Sequence, residues 1–208
     1  MLGLEYECMA TDTPEDLDSP LAADPPLLAT FLAREKAEAA RAAGLHAPVL
    51  AFDTIVLLDG RVLGKPVDLD DAYAMLRSLS GRTHEVVTGV AVMAPGSMAA
   101  ETFAVTTPVR MRKLTKEEID AWAERGELLG CAGAYNIESH LAQVDADQCF
   151  QNVAGLPLCH LYLMLRRMRE TLGIGEPEAP VAACDTARGA RCRLGPVLVD
   201  PDGETAGG

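Results

Sequence analysis

The amino-acid sequence predicts an α/β or α+β fold with a mixed sheet and flanking helices. Apolar runs rich in β-branched residues alternate along the chain with segments in which apolar residues recur at helical spacing. The chain has 208 residues, enough for one domain with short additions, and 49% of them are hydrophobic. Because only 4% are aromatic, the core is expected to consist mainly of Leu, Val, Ile, Ala and Met.

The first elements follow a Pro- and Asp-rich segment, residues 14–26, that is predicted to be a loop. A helix is expected from about Leu28, and Gly44 is a suitable residue to end it. The apolar run 48–58 predicts a strand, and Asp59-Gly60 is a strong signal for a hairpin turn into the short strand RVL.

The middle of the chain contains further strands and helices. They are a helix capped by Asp68 and ending near Gly81, strands over 84–93 and 102–111, a short helix opened by the capping box Thr115/Glu118, and a last helix opened by Pro157. The helices carry apolar residues on one face, and the second strand alternates apolar and polar positions. Both patterns are typical of elements that pack on a common core.

From Gly173 onward the sequence no longer shows the apolar periodicity of helices or strands. Residues 173–208 contain no aromatic residue, many Gly, Pro and Ala residues, and no sustained apolar period. The sequence therefore predicts one domain over residues 1–172 and a flexible tail over residues 173–208.

Charge and cysteine usage limit the partners and the compartment. The formal net charge is −13, which argues against a nucleic-acid polymer as partner but allows a small anionic ligand in a pocket. The six cysteines show no C-x-x-C spacing and are expected to be reduced. The N-terminus lacks a basic segment, and the longest uncharged stretch contains Gln, Asn, His and Pro157. We predict a cytoplasmic protein with no membrane partner.

Four local features are candidates for chemistry. Asp53 interrupts an apolar strand, where a carboxylate is costly unless it is paired, binds a metal or lines a pocket. Lys65 and Arg82 are cations on or beside turns, and Gly-rich segments lie at 133–138 and 152–158. Each also has an ordinary structural explanation. Asp53 could face solvent from an edge strand, Lys65 could be a loop lysine, and Arg82 could be a solvated residue at a helix C-cap. The Gly-rich segments could be two loops that flank a helix.

Taken in order, these segments resemble the Maf family of nucleoside triphosphate pyrophosphatases. The resemblance rests on LAREKAEAARAAG, on FDTIVLLDGRVLGKPVDLDDAYAMLRSLSGRTHEVVTGVAV, and on GAYNIES and NVAGLPL, and it covers roughly residues 1–172. It implies an α/β fold with an elongated mixed sheet and a central cleft. It also implies hydrolysis of nucleoside triphosphates to the monophosphate and pyrophosphate, with a divalent metal, Mg²⁺ or Mn²⁺, as cofactor. A housecleaning role against non-canonical nucleotides follows from the same resemblance.

The resemblance assigns roles to individual residues. Asp53 matches the family's proton acceptor, and Thr54 matches a position linked to the choice of base, where Thr resembles the branch acting on dTTP and UTP. Lys65 and Arg82 match phosphate-binding cations. Glu15 lies where the family has a glutamate near metal and substrate, so Glu15 and Asp53 are the expected metal ligands.

Three positions differ from the family pattern. The sequence begins at MLGLEYE, after the place of the family's S-x-S-P-R-R loop, which it is expected to lack. Asn136 stands where the family usually has lysine. Glu138, a candidate substrate-binding residue, stands where the family has Gln or Glu depending on the branch, and Glu conflicts with the dTTP/UTP branch suggested by Thr54.

The sequence is compatible with two functional hypotheses. The first is an active pyrophosphatase whose partner is a nucleoside triphosphate. The second is a non-catalytic relative that binds nucleotides or acts as a regulator of cell division. The sequence leaves the oligomeric state open, with a homodimer as one candidate assembly.

Overall fold

The computed structural model describes residues 1–11 and 13–200, and a sheet with helices on both faces forms its centre. The strands in this part of the chain are β1 (Val49–Leu58), β2 (Arg61–Leu63), β3 (Thr83–Met93), β4 (Ala100–Met111) and β5 (Ala142–Gln143). The helices are α1 (Pro25–Ala42), α2 (Leu69–Leu79), α3 (Lys116–Ala123), α4 (Phe150–Val153), α5 (Leu158–Leu172), α6 (Val181–Arg188) and α7 (Leu194–Val199). Short 3₁₀ turns lie at Pro20–Ala23, Leu128–Gly130, Ala132–Ala134 and Ile137–Ser139.

The strand order of the sheet is β2-β1-β3-β4-β5. The predicted class, α/β with helices flanking a sheet, is confirmed. A mixed sheet was expected, whereas every strand pairing in the described residues is antiparallel. Short connections explain this for the two hairpins, β1–β2 and β3–β4, because parallel neighbours need a crossover of a dozen or more residues.

Local signals in the sequence placed most elements correctly. Asp59 and Gly60 both have positive φ, as the predicted hairpin turn requires. The side chain of Asp68 accepts a hydrogen bond from the backbone of α2, and Thr115 and Glu118 form the predicted capping box of α3. The predicted loop over residues 14–26 differs in part, because it contains the turn Pro20–Ala23 and the start of α1.

Helix α1 lies close against one face of the sheet, where it covers β1 and β3. A Cβ atom on Gly89 of β3 would lie 2.1 Å from the backbone carbonyl of Ala29 in α1, so only glycine permits this approach. Gly89 is the sheet partner of Asp53. The close crossing therefore brings the next turns of α1 over the part of β1 that contains Asp53.

The opposite face and one end of the sheet carry the rest of the core. Helix α5 packs its buried face, including Leu161 and Leu165, on Val90 and Val92 of β3. Helices α2 and α3 form a second cluster with the β1–β2 hairpin around Trp122. None of the helices in the described ranges is long and apolar enough to cross a membrane.

The C-terminal segment differs from the predicted flexible tail over its described part, residues 173–200. Helices α6 and α7 contact each other, and they pack on α4 and α5, respectively. The backbone N–H of Glu178 also donates to the carbonyl of Leu2 at 2.9 Å. The other predicted tail residues, 201–208, lie outside the described part.

The buried side chains of this segment are small, and for this reason the sequence shows no apolar period that predicts a packed segment. Cys184 and Cys192 are buried, as is Cys159 of α5. The vacant Cβ position of Gly195 lies 3.4 Å from the sulfur of Cys159 and 3.7 Å from that of Cys192. Burial raises the pKa of Cys159 to about 12 and that of Cys184 to about 11, so these thiols are neutral at pH 7 and pack as small apolar groups.

The packing of the C-terminal segment makes a testable prediction. We expect removal of residues 173–208 to lower the melting temperature by about 4–8 °C, because the lost burial corresponds to roughly 2 kcal/mol. Cys184→Ser should also lower the melting temperature, since a hydroxyl is costlier to bury than a thiol. The matched control is Cys8→Ser, because Cys8 is exposed. An unchanged melting temperature after truncation would show that the segment contributes no stability.

Candidate functional site

Asp53 lies on the part of β1 that has no outer neighbour in the described residues. Strand β2 pairs only with Val56–Leu58, so β1 is an edge strand at Asp53. The side chain is nevertheless only 4% exposed, because it faces α1. The alternative explanation of a solvent-facing edge residue is therefore wrong. Adjacent residues of an edge strand point to opposite faces but can reach the same cavity around the edge, as Asp53 and Thr54 do.

Lys36 of α1 is the partner of Asp53. Its Nζ donates hydrogen bonds to Asp53 Oδ1 and to Glu15 Oε1, the second at 2.8 Å. Sequence reasoning missed this residue. The signal was nevertheless present, because Lys36 continues at i+4 spacing the buried row of Leu28 and Leu32. A cation in an apolar helix stripe is as informative as a carboxylate in an apolar strand.

Glu15 connects the two lysines of the site. Its Oε1 accepts hydrogen bonds from Lys36 and, at 3.1 Å, from Lys65. The charges therefore alternate along the chain of contacts Asp53–Lys36–Glu15–Lys65. Lys65 is half-exposed, so its ammonium is free to turn toward a ligand at small energetic cost.

The environment separates the pKa values of these groups. Burial raises the pKa of Asp53, and the ammonium of Lys36 offsets only part of this effect, so the pKa lies above its ordinary value of 3.8. Burial lowers the pKa of Lys36, but contacts with Asp53 and Glu15 outweigh it and raise the pKa above 10.5. Burial raises the pKa of Glu15, and contacts with both lysines outweigh that and lower it. Asp53 is thus the carboxylate that takes up a proton most readily.

A cavity of about 280 Å³, which we call the Asp53 cleft, adjoins these groups. Its lining includes Lys36, Asp53, Thr54, Lys65, Tyr135, Asn136 and residues 153–155. The second carboxylate oxygen of Asp53, Oδ2, is buried and accepts no hydrogen bond from the described residues. An unsatisfied carboxylate oxygen beside a cavity is suited to a water proton, a ligand or a cation.

The carboxylates of the cleft fit a divalent cation that arrives with a phosphorylated substrate. No three His, Cys, Asp or Glu side chains form a metal-binding group within residues 1–11 and 13–200. Mg²⁺ is often held by one or two carboxylates, with phosphate oxygens and water as its other ligands. Glu15 and Asp53 supply two carboxylates, and the unpaired Oδ2 of Asp53 is available to such an ion.

Thr54 belongs to a buried polar network that fixes its proton. Thr88 donates a hydrogen bond to the carbonyl of Asn152 at 3.0 Å, so the 3.0 Å contact between the two threonine hydroxyls is donated by Thr54. The Thr54 oxygen therefore presents only lone pairs to the Asp53 cleft. Gly155 keeps this oxygen accessible, because a Cβ there would lie 3.1 Å from it.

Tyr135, on the wall of the Asp53 cleft, is held by a buried histidine. Its hydroxyl lies 2.6 Å from Nε2 of His84, and burial lowers the pKa of His84 to about 4. Burial also raises the pKa of Tyr135 well above its usual range. The pair is therefore neutral at pH 7 and positions the Tyr135 ring without adding charge to the cleft.

The buried histidine predicts a pH dependence of stability. Between pH 6.5 and 4 the unfolded chain binds a proton on His84 that the native state excludes, so the free energy of unfolding falls as pH falls. The full effect is about 3 kcal/mol. Urea unfolding at pH 7.5 and 4.5 should show this loss. In His84→Gln the free energy of unfolding should depend less steeply on pH, by an amount that corresponds to at most one bound proton. An equal slope in both proteins would contradict the assignment.

Two predicted substrate-binding residues lie away from the Asp53 cleft. Arg82 pairs with Asp59 at the β1–β2 turn, about 20 Å along the strand from Asp53 at 3.3 Å per residue. Glu138 is exposed and lines a different cavity with Arg110 and His140. The structure thus brings together Glu15, Asp53, Thr54 and Lys65 of the predicted residues, adds Lys36, and leaves Arg82 and Glu138 outside.

Comparison with known proteins shows similarity over most of the chain. A family model described as "Maf-like protein" matches residues 1–168. A dTTP/UTP pyrophosphatase of Syntrophomonas wolfei is 41% identical over 171 residues, which are 80% of this chain and 88% of the relative. Proteins of the same name from Geobacter sulfurreducens (41% identity, 80% of this chain and 87% of the relative) and Porphyromonas gingivalis (39%, 74% and 79%) are also similar. The family match ends before α6 and α7.

Proposed function

The chain belongs to the Maf family, and from this premise we propose that it hydrolyses nucleoside triphosphates to the monophosphate and pyrophosphate. The observation that carries the proposal is the chain of alternating charges at the Asp53 cleft. Two lysines and two carboxylates contact one another there, and one carboxylate oxygen of Asp53 accepts no hydrogen bond from the described residues. The relatives named dTTP/UTP pyrophosphatase support the same reaction. A role in clearing non-canonical nucleotides from the nucleotide pool accords with this chemistry.

Asp53 is the proposed proton acceptor. Its Oδ2 takes a proton from a water molecule as the water oxygen attacks phosphorus, and the bond between phosphorus and the bridging oxygen breaks so that pyrophosphate leaves. The raised pKa of Asp53 suits this role, because a base whose pKa lies nearer neutrality holds the transferred proton better. Lys36 keeps the carboxylate oriented.

Lys36 and Lys65 are the proposed phosphate-binding cations. Both ammonium groups contact Glu15, and an incoming triphosphate can replace Glu15 as their anionic partner. Stabilising the charge that develops on the leaving pyrophosphate is their contribution to the rate. Arg82 and Glu138 have no part in this proposal, because neither lies in the Asp53 cleft.

Glu15 and Asp53 are the proposed ligands of a divalent cation, Mg²⁺ or Mn²⁺. Their oxygen ligands match the preference of these hard cations. When bound, the cation supplies further positive charge against the triphosphate. A net charge of −13 makes such neutralisation necessary and supports a small-molecule substrate over a nucleic-acid polymer. A cytoplasmic location and a homodimer stay predictions.

Thr54 is the proposed determinant of base choice. Its hydroxyl proton is committed to Thr88, so its oxygen can only accept a hydrogen bond from the base. The imide N3–H of uracil or thymine is such a donor, whereas N3 of cytosine is an acceptor. The Thr54 oxygen therefore favours UTP and dTTP over CTP, in agreement with the name of the relatives, dTTP/UTP pyrophosphatase.

A substrate screen tests the proposed function. We expect pyrophosphate release from dTTP and UTP with Mg²⁺, at least about tenfold slower release from CTP, and none in excess EDTA, since one mismatched polar contact changes the rate by roughly this factor. Undiminished release in EDTA would refute the metal requirement. Equal rates with UTP and CTP would refute the role of Thr54.

The second candidate is a relative that binds nucleotides without hydrolysing them. Asn136 favours it, because this cleft residue is uncharged and its amide donates to Glu127 at 3.0 Å. Tight binding of UTP without pyrophosphate release, at several Mg²⁺ and Mn²⁺ concentrations, would establish that candidate. Turnover would exclude it.

A further inference from the structure

A second cavity, which we call the Arg188 cavity, lies on the other side of the Ile137–Ser139 turn. Its volume is about 490 Å³, within the range of small-molecule sites. It has no lining residue in common with the Asp53 cleft. Its walls are the β4–β5 edge, the Ile137–Ser139 turn, Phe150 and the end of α6. Because α6 lies beyond the residues that match the family, this cavity depends on the chain's own C-terminal segment.

Arg188 brings an uncompensated charge to this cavity. Its Nη2 donates to the carbonyl of Val144 at 2.7 Å, which holds the end of α6 against the β5 edge. Its Nη1 is buried and donates to no acceptor in the described residues. No carboxylate there lies within ion-pair distance of Arg188. A buried guanidinium N–H without a protein acceptor is a position that an anion or a water molecule can satisfy, and an anion would also balance the charge.

The other charged groups of the lining allow an anion. Arg110 pairs with Asp145 at 2.6 Å, but both side chains are more than half exposed, so this pair is weak and can open toward a ligand. Glu138 is the one acidic residue of the lining against the two arginines. The protein as a whole has a net charge of −13, whereas the lining of this cavity has more arginines than acidic residues. Glu138 can accept a hydrogen bond from a hydroxyl of the ligand.

The remaining wall is apolar. Ile137, Ala142 and the half-buried ring of Phe150 face the same space as the two arginines. A guanidinium fork suits the paired oxygens of a phosphate group, and an aromatic ring suits a flat apolar group. We propose that the Arg188 cavity is a second binding site, separate from the Asp53 cleft, for a phosphate group, either free or carried by a small phosphomonoester.

Calorimetric titration with uridine 5′-monophosphate tests this site. The titration uses the full chain in EDTA with Lys36→Met, which removes a phosphate-binding cation from the Asp53 cleft and leaves the Arg188 cavity intact. Arg188→Gln is expected to weaken binding about tenfold or more, as loss of a charge-assisted hydrogen bond does. Ala187→Glu should weaken it similarly by placing a carboxylate in the wall while keeping the contact between Arg188 and Val144. Arg191→Gln, an exposed arginine outside the cavity, is the matched control and should bind as before.

Inorganic phosphate and uridine separate the possible sources of binding. Phosphate should compete with the nucleotide and uridine should not. Competition by phosphate at equal affinity would assign the site to free phosphate, and weaker competition would assign it to an organic phosphate; both support the proposal. Equal affinity in Arg188→Gln, equal binding of uridine, or no binding at all to the Lys36→Met chain would overturn it. None of these results depends on hydrolysis, so the proposed function can fail while this site stands.

Discussion

Replacing Asp53 by Asn is expected to lower the turnover number for pyrophosphate release by about 10²–10⁴-fold, the usual effect of removing a general acid–base group. The amide keeps the shape of the side chain but cannot take a proton from water at Oδ2. The measurement is the rate of pyrophosphate release from dTTP and UTP at saturating Mg²⁺.

The same substitution should leave the fold intact. Because burial raises the pKa of Asp53, the native state holds its proton more tightly than the unfolded chain. The free energy of unfolding therefore falls as pH rises through the Asp53 pKa, and the Asp53→Asn chain lacks this loss. Circular dichroism should confirm the fold, with Asp70→Asn as the matched control at an exposed aspartate. Equal turnover by folded Asp53→Asn and wild type would remove Asp53 from the mechanism.

Replacing Lys36 by Met is expected to affect both catalysis and stability. Turnover should fall by about 10²-fold or more, since charge-assisted hydrogen bonds of roughly 1.5–3 kcal/mol are lost. At pH 7.5 the free energy of unfolding should fall by about 2–4 kcal/mol, because Asp53 is left buried without its cation. The deficit should shrink as pH falls, because Asp53 without Lys36 takes up its proton at a higher pH and is then neutral.

A double variant separates the two roles of Lys36. Lys36→Met combined with Asp53→Asn should regain most of the lost stability, because no unpaired buried carboxylate remains, yet it should stay inactive. Lys113→Met, at an exposed lysine, is the control and should change neither quantity. If Lys36→Met kept full turnover, or if the double variant were no more stable than the single one, the pairing with Asp53 would not have the proposed importance.

Much of the architecture could be predicted because it depends on short-range physics. The hairpin turn at Asp59-Gly60, the cap at Asp68 and the capping box at Thr115 are signals within a few residues, and all are present in the structure. Asp53 was identifiable by the same local logic, since a carboxylate inside an apolar strand requires a partner. The family resemblance rests on these same segments and is confirmed by the match over residues 1–168.

The C-terminal segment shows where local reasoning was insufficient. Its fully buried residues are two prolines, two cysteines and a glycine, which produce no period along the sequence. They are buried only because α6 packs on α4 and α7 packs on α5 in the folded chain. A segment that is stabilised by what it packs against, rather than by its own pattern, cannot be recognised from composition.

The sequence by itself determined most element types before residue 173, the hairpin turn, the family and one catalytic candidate, because each depends on residues close together along the chain. The tertiary structure alone decided which charges meet. It placed Lys36 between Asp53 and Glu15, residues 17 and 21 positions away, and it put Arg82 beside Asp59 at the far end of β1. Contacts of this kind follow from how α1 crosses the sheet at Gly89, and that crossing is set by packing between distant segments rather than by any local preference.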